Sequence, residues 1–179
     1  TPLGANTLKI AATSGTLTHS ASVGLLVTTT APGAGIISID FVGGGTPLAA
    51  TDSAGVIAQA NWNEAPAATG SGLALIDETG TTTAATVAWN ATSVGSLGIA
   101  SEPGDFGMMD GYLDSGAQST TVTITNLPDD PAGYYVYVYS DGANGATSSA
   151  GTYTISGADA SPATIDITDA ANTDFSGTP

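Results

Sequence analysis

TLTHSASVGLLVTTT, residues 16–30, is the stretch on which the fold turns. From Leu17 the odd positions are Leu17, His19, Ala21, Val23, Leu25 and Val27, apolar apart from the histidine, while the even positions are mostly Thr, Ser and Gly. A period of two sends successive side chains to opposite faces of an extended chain, so this is a strand with one face to bury and one face to wet. NTLKIAATSG, residues 6–15, reads as a second strand running into a Ser-Gly turn, and the pair makes a hairpin. A two-stranded ribbon has too little apolar surface to fold alone. The hairpin needs a sheet to join.

The same alternation recurs after TAPGAG, residues 30–35, where Pro and Gly mark a linker. IISIDFV (36–42) places Ile37, Ile39 and Phe41 on one face and stops at GGG, residues 43–45. LALID (73–77), ATVAW (85–89), TTVTIT (120–125), GTYTIS (151–156) and ATIDIT (163–168) are further strands. YYVYVYS (134–140), aromatic and β-branched, has the highest strand propensity of all. It is followed by two turn signals, Asp141-Gly142 and Asn144-Gly145. Helical periodicity is hard to find. Short strands at this spacing predict an all-β chain, an antiparallel β-sandwich or jelly roll preceded by an N-terminal β-hairpin. The expected organisation is a hairpin over 1–30, a linker over 31–35 and a jelly-roll sandwich over 36–179.

Sixteen acidic residues stand against a single Lys+Arg residue, Lys9, for a formal charge of −15. Coulomb repulsion disfavours nucleic acid and anionic lipid surfaces as partners. No apolar run approaches the ~20 residues that cross a bilayer. Charged residues make up only 9% of the chain, so its surface is expected to be Thr, Ser, Asn, Gly and Ala, as on secreted bacterial β-proteins. Cysteine is absent, which removes disulfides, thiolate chemistry and Cys-ligated zinc. A start at Thr1 is expected of a processed or excised product.

Few residues carry chemistry. His19 is the single histidine; alternation puts it on the apolar face, where a structural role is expected, because a lone imidazole has neither triad nor metal partners. Glu102, Asp105, Asp110 and Asp114 lie close in EPGDFGMMDGYLD and are the candidate ligands of a structural Ca²⁺, although the Asp-x-Asp-x-Asp-Gly loop is missing and solvated turn acids are the plainer expectation. Asn90-Ala91-Thr92 is an N-glycosylation acceptor pattern at Asn90. GGG at 43–45 lacks the Lys and the helix of a phosphate loop. With no nucleophile–base pair and no cofactor motif, a non-enzymatic protein without cofactor is expected.

Two stretches resemble known families. TPLGANTLKIAATSGTLTHSASVGLLVT resembles the last hairpin of immunoglobulin-like modules in large secreted bacterial proteins, down to the TSG turn and LTHS. From Ile36, the blocks ISIDFVG, AGVIAQANWNEA, ATVAW, MMDGYLD, VTITNLP, YYVYVYSDG, GTYTIS and TDAANTDFSGT resemble a secreted bacterial jelly roll similar to galactose-binding-like and carbohydrate-binding modules. MMDGYLD carries Asp110 where that family usually has Lys, so a cationic ligand contact is not carried over to this position. The resemblance implies a jelly roll lacking its closing strands, and sugar stacking by Trp62, Tyr135, Tyr137 and Tyr139. Trp62, in the polar loop QANWNEA, is the better stacking candidate; Trp89 shares parity with Val87 and Ala85 and is expected in the core.

A spare hairpin in front and missing strands behind suggest strand addition between copies. Such a contact is heterologous and does not close, so it builds a fibre. The expectation is an extracellular or cell-surface filament or adhesin subunit, a homopolymer joined through Leu17, His19, Ala21, Val23, Leu25 and Val27. The alternative is a carbohydrate-binding module with a polysaccharide partner.

Overall fold

The computed structural model of the protein describes residues 4–14, 17–27, 35–98, 103–130, 133–140, 148–157, 160–169 and 171. The side chain of His19, Glu102, the turns at Asp141-Gly142 and Asn144-Gly145 and the last eight residues, which were read above, lie outside that description. The chain divides into two compact units, Thr1–Gly33 and Ala34–Pro179.

The first unit is the hairpin of β1 (Gly4–Ser14) and β2 (Leu17–Val27). Its antiparallel register runs without a bulge from Gly4↔Val27 to Ser14↔Leu17. The register sets Ala12 opposite His19, Ile10 opposite Ala21 and Leu8 opposite Val23 in one alternating set, and Ala5 opposite Leu26 and Lys9 opposite Ser22 in the other. The ribbon is two-stranded among the described residues.

The second unit is built from β3 (Ile39–Asp40), β4 (Asn63–Glu64), β5 (Thr69–Ile76), β6 (Thr82–Asn90), β7 (Ser93–Ser96), the one-and-a-half-turn helix α1 (Asp105–Asp110), β8 (Gly111–Asp114), β9 (Thr121–Thr125), β10 (Ser149–Gly157) and β11 (Ala160–Asp169). The protein is mostly β with almost no helix. Its largest described sheet is antiparallel, in the order β5-β6-β9; β7-β8 and β10-β11 are antiparallel pairs, and β3-β4 is a short parallel pair.

Alternation in β6 does what its pattern dictates: Ala85, Val87 and Trp89 are buried with Leu75 of β5 and with Ala65, and Ile37, Ile39, Phe41, Leu73 and Leu113 pack around them. A second cluster gathers Leu48, Ala54, Trp62, Met108 and Met109, with Tyr139 against it. Asn63, buried, ties three segments together: its Nδ2 donates to the carbonyls of Ser38 and Ile76, and its Oδ1 accepts from the Ile76 amide. Asp77 closes the β5–β6 turn by accepting at Oδ1 from the Thr79 and Thr81 amides and the Thr79 hydroxyl, which holds its carboxyl below the ordinary range. At Gly111 the chain passes so close to Val42 that a Cβ would stand 1.9 Å from its carbonyl oxygen, so only glycine lets α1 turn directly into β8.

Three elements differ from the sequence reading. Of IISIDFV only Ile39–Asp40 is laddered, although Ile37, Ile39 and Phe41 do share the core-facing side. Residues 133–140, the segment of highest strand propensity, form no strand. A strand is completed by a neighbour's hydrogen bonds, and this one has no ladder partner among the described residues. Lastly, α1 forms where no helical period is legible, its buried Met108 and Met109 anchoring a helix too brief to print one.

Candidate functional site

Parallel pairing of β3 with β4 sets Asp40 directly beside Glu64. Asp40 is 3% exposed, and Asp110, at the end of α1, is buried next to it. Asp110 Oδ1 accepts from the Ser96 hydroxyl at 2.9 Å, and Ser96 Oγ in turn accepts from the Gly98 amide. Taken as two carboxylates, Asp40 Oδ2 and both Glu64 oxygens are buried with no donor to satisfy them. Burial first, then the charge of Glu64, a hydrogen bond to Glu64 and the charge of Asp110 push the Asp40 carboxyl up to about 8. Two ionised carboxylates cannot hydrogen-bond each other, so that bond exists only with a proton between them, and the protonated form supplies the missing donor. Glu64 is raised as well, by burial; hydrogen bonding from Asp40 and from the Leu48 amide pulls the other way, the latter contact falling short of full hydrogen-bond geometry.

Residues 34–179 contain no lysine, arginine or histidine. All sixteen acidic residues lie between Asp40 and Asp174, whereas Lys9 and His19 both precede residue 34. Residues 34–179 therefore carry −16 and residues 1–33 carry +1, which sum to the −15 of the chain. No ammonium or guanidinium within residues 34–179 offsets the burial that raises the Asp40 carboxyl.

Asp105, Asp110 and Asp114, the described members of the expected calcium set, are engaged separately. Asp105 Oδ1 accepts from the Gly55 amide at 2.7 Å, and Asp114 accepts from the Gly116 amide and the Ser93 hydroxyl, which lowers its pKa. Among the described residues no group of three His, Cys, Asp or Glu side chains is placed to hold a metal ion. The carboxyls that do meet, Asp40 and Glu64, were missed because they are distant in sequence. The available signal was an acid set inside the apolar run IISIDFV.

Of the aromatic candidates, Trp62 is not in an open loop: it is 9% exposed, its Nε1 donates to the Gln59 carbonyl, and its ring meets Tyr139 at 6.3 Å. Tyr139 is half-buried, its hydroxyl accepting from the Val56 amide. Tyr135, 91% exposed, and Tyr137 stand open. Asn90 is exposed at the end of β6, and the Thr92 hydroxyl of the same acceptor pattern donates to the Ser115 carbonyl.

Several apolar residues of the second unit are exposed. All five residues of β9 are exposed, Val122 and Ile124 among them, and β9 is paired to β6 alone among the described residues. Tyr134, Val136, Val138, Ile155 and Ile165 are exposed as well. No described helix is long and apolar enough to cross a membrane. No protein-family model, curated protein or solved structure matches the chain.

Proposed function

We propose that this chain is an extracellular, non-catalytic structural protein, a filament or adhesin subunit that joins its neighbours head-to-tail by β-strand complementation through residues 1–30. Its body is a β-sandwich of jelly-roll type completed by the neighbour. One observation carries the reading: a two-stranded hairpin forms a compact unit of its own, in a chain whose other unit ends its largest described sheet on an exposed strand, β9, that is laddered on one side alone among the described residues. Monomeric proteins blunt or cover such edges, and strand addition is the contact that an open edge accepts. The all-acidic composition of residues 34–179 supports a role that needs neither anionic ligands nor nucleic acid.

The test is particle mass. Light scattering of the full chain, with negative-stain images, is expected to give assemblies many times the 17.3 kDa of one chain. A monomer at every concentration up to the millimolar range would sink the reading. A carbohydrate-binding module is the second reading, favoured by the open ring of Tyr135. In that case the monomer is retained on a polysaccharide affinity gel and Tyr135→Ala is not.

A further inference from the structure

We propose that the acceptor for the hairpin is the free edge of β9 in a second copy of this chain, with β2 as the strand that docks. The inference rests on the assembly reading above and names its receiving site.

Three observations converge on β9. First, it is the outer strand of the β5-β6-β9 sheet, so one row of its backbone N–H and C=O groups has no ladder partner among the described residues. Its apolar residues are partly open to solvent, 42% (Val122) and 39% (Ile124) exposed. Second, its pattern is the one that β2 matches. β9 reads Thr-Val-Thr-Ile-Thr, and the centre of β2 reads Ser20-Ala21-Ser22-Val23-Gly24-Leu25. Adjacent strands align residues of one face side by side, so a single register continues the apolar row Val122 and Ile124 into Ala21, Val23 and Leu25, and the Thr row into Ser20 and Ser22. A one-residue slip would set apolar against hydroxyl along the whole contact, which makes the register selective.

Third, charge decides which surfaces meet. Two copies of residues 34–179 carry −16 each and repel, whereas residues 1–33 carry +1 and no carboxylate at all. Asp129 and Asp130 lie four and five residues beyond the end of β9, so the chain that leaves this strand is negatively charged. The one attractive pairing between copies is therefore hairpin on body. Like-charge repulsion between bodies also works against two acceptor edges pairing with each other. A donor hairpin of one copy on an acceptor edge of the next is a heterologous contact, which gives a polar, open-ended chain of subunits.

The absence of cysteine makes the contact directly testable. Full-length chains bearing Ser22→Cys are mixed with chains bearing Thr123→Cys and oxidised, and Val122→Glu with Ile124→Glu is made separately; exposed β9 positions tolerate these changes without loss of the fold, which circular dichroism checks. The expected results are a disulfide-linked dimer of the two different chains, with little of either homodimer, and a fall in mean particle mass of the Glu variant to that of one chain. Assemblies that persist unchanged in the Glu variant overturn β9 as acceptor while leaving strand complementation standing. A chain carrying both cysteines that closes a disulfide within a monomer shows that the edge takes its own hairpin, and also overturns the proposal. Native material that is monomeric throughout removes the assembly reading and this inference together.

Discussion

Between pH 4 and pH 8 the melting temperature of the protein is expected to fall, and Asp40→Asn is expected to remove most of that fall. The reason lies in the β3–β4 pair. Burial, followed by the charge of Glu64, lifts the Asp40 carboxyl from 3.8 to about 8. Over that interval the folded protein keeps a proton that the unfolded chain has released. Stability from this group is thus fully present below the unfolded value and is lost as pH rises through the folded one. A whole proton of difference corresponds to a slope of about 1.4 kcal/mol per pH unit, which is the ceiling for Asp40 alone. Glu64 is shifted in the same direction, and the pair titrates as one system. Asp77 and Asp114 act oppositely: their carboxyls are lowered by turn hydrogen bonds, so their contribution is lost only as pH falls through their depressed values. Maximum stability is therefore expected on the acid side, at about pH 4 to 5, where Asp40 is protonated and the turn acids are still ionised. Asparagine keeps the shape of Asp40, donates to Glu64 at every pH and takes up no proton, so its curve should be flatter and should lie above the native one at pH 8. Scanning calorimetry from pH 4 to 9 on both proteins decides the matter. A native melting temperature that climbs from pH 5 to 8, or an Asn variant with the native slope, contradicts the shared-proton account.

Trp89→Ala is expected to cost about 3–5 kcal/mol, the range for emptying a packed aromatic site. Trp89 is buried on β6 among Ala65, Leu75, Ala85 and Val87, and Phe41 meets it edge-on at 6.0 Å and 65°. Its Nε1 donates to the Ala67 carbonyl at 2.7 Å, and the backbone of Gly70 runs under the ring so closely that a Cβ there would stand 2.2 Å from it. Removing the indole opens a cavity between β5 and β6 and leaves the Ala67 carbonyl without its donor. For a domain with total stability of about 5–15 kcal/mol the loss is a large fraction. Trp89→Phe keeps part of the ring volume and loses the hydrogen bond, so it should cost markedly less. Urea denaturation of the three proteins tests the ordering; a Trp89→Ala loss below about 1 kcal/mol would show that the cluster around it can collapse and that it does not organise the sheet.

The parts of the fold legible in the sequence are those where pattern and burial obey the same local rule. ATVAW alternates, and Ala85, Val87 and Trp89 are indeed the buried set of β6. TTVTIT alternates and is β9, but alternation could not say that all five of its residues would be exposed. YYVYVYS shows the limit of propensity: β-branched and aromatic residues favour a pleated, half-buried surface, and without a paired neighbour the segment takes no strand. Trp62 misled in the other direction, because the polar residues around it gave no hint that Leu48, Ala54, Met108 and Met109 would close over the ring.

What the sequence by itself determined is the β character, the hairpin of residues 4–27, the apolar face of β6 and the segregation of all sixteen carboxylates from Lys9. Each is a property of composition or of neighbours two residues apart, and the backbone expresses it wherever the chain is placed. Only the tertiary structure decided that Asp40 and Glu64 would lie side by side with the Asp40 carboxyl raised by burial, that Trp62 would be core and that β9 would be the outer strand of its sheet among the described residues. Those outcomes depend on which distant segments pair, and pairing is settled by the summed packing of the sheet rather than by any local pattern.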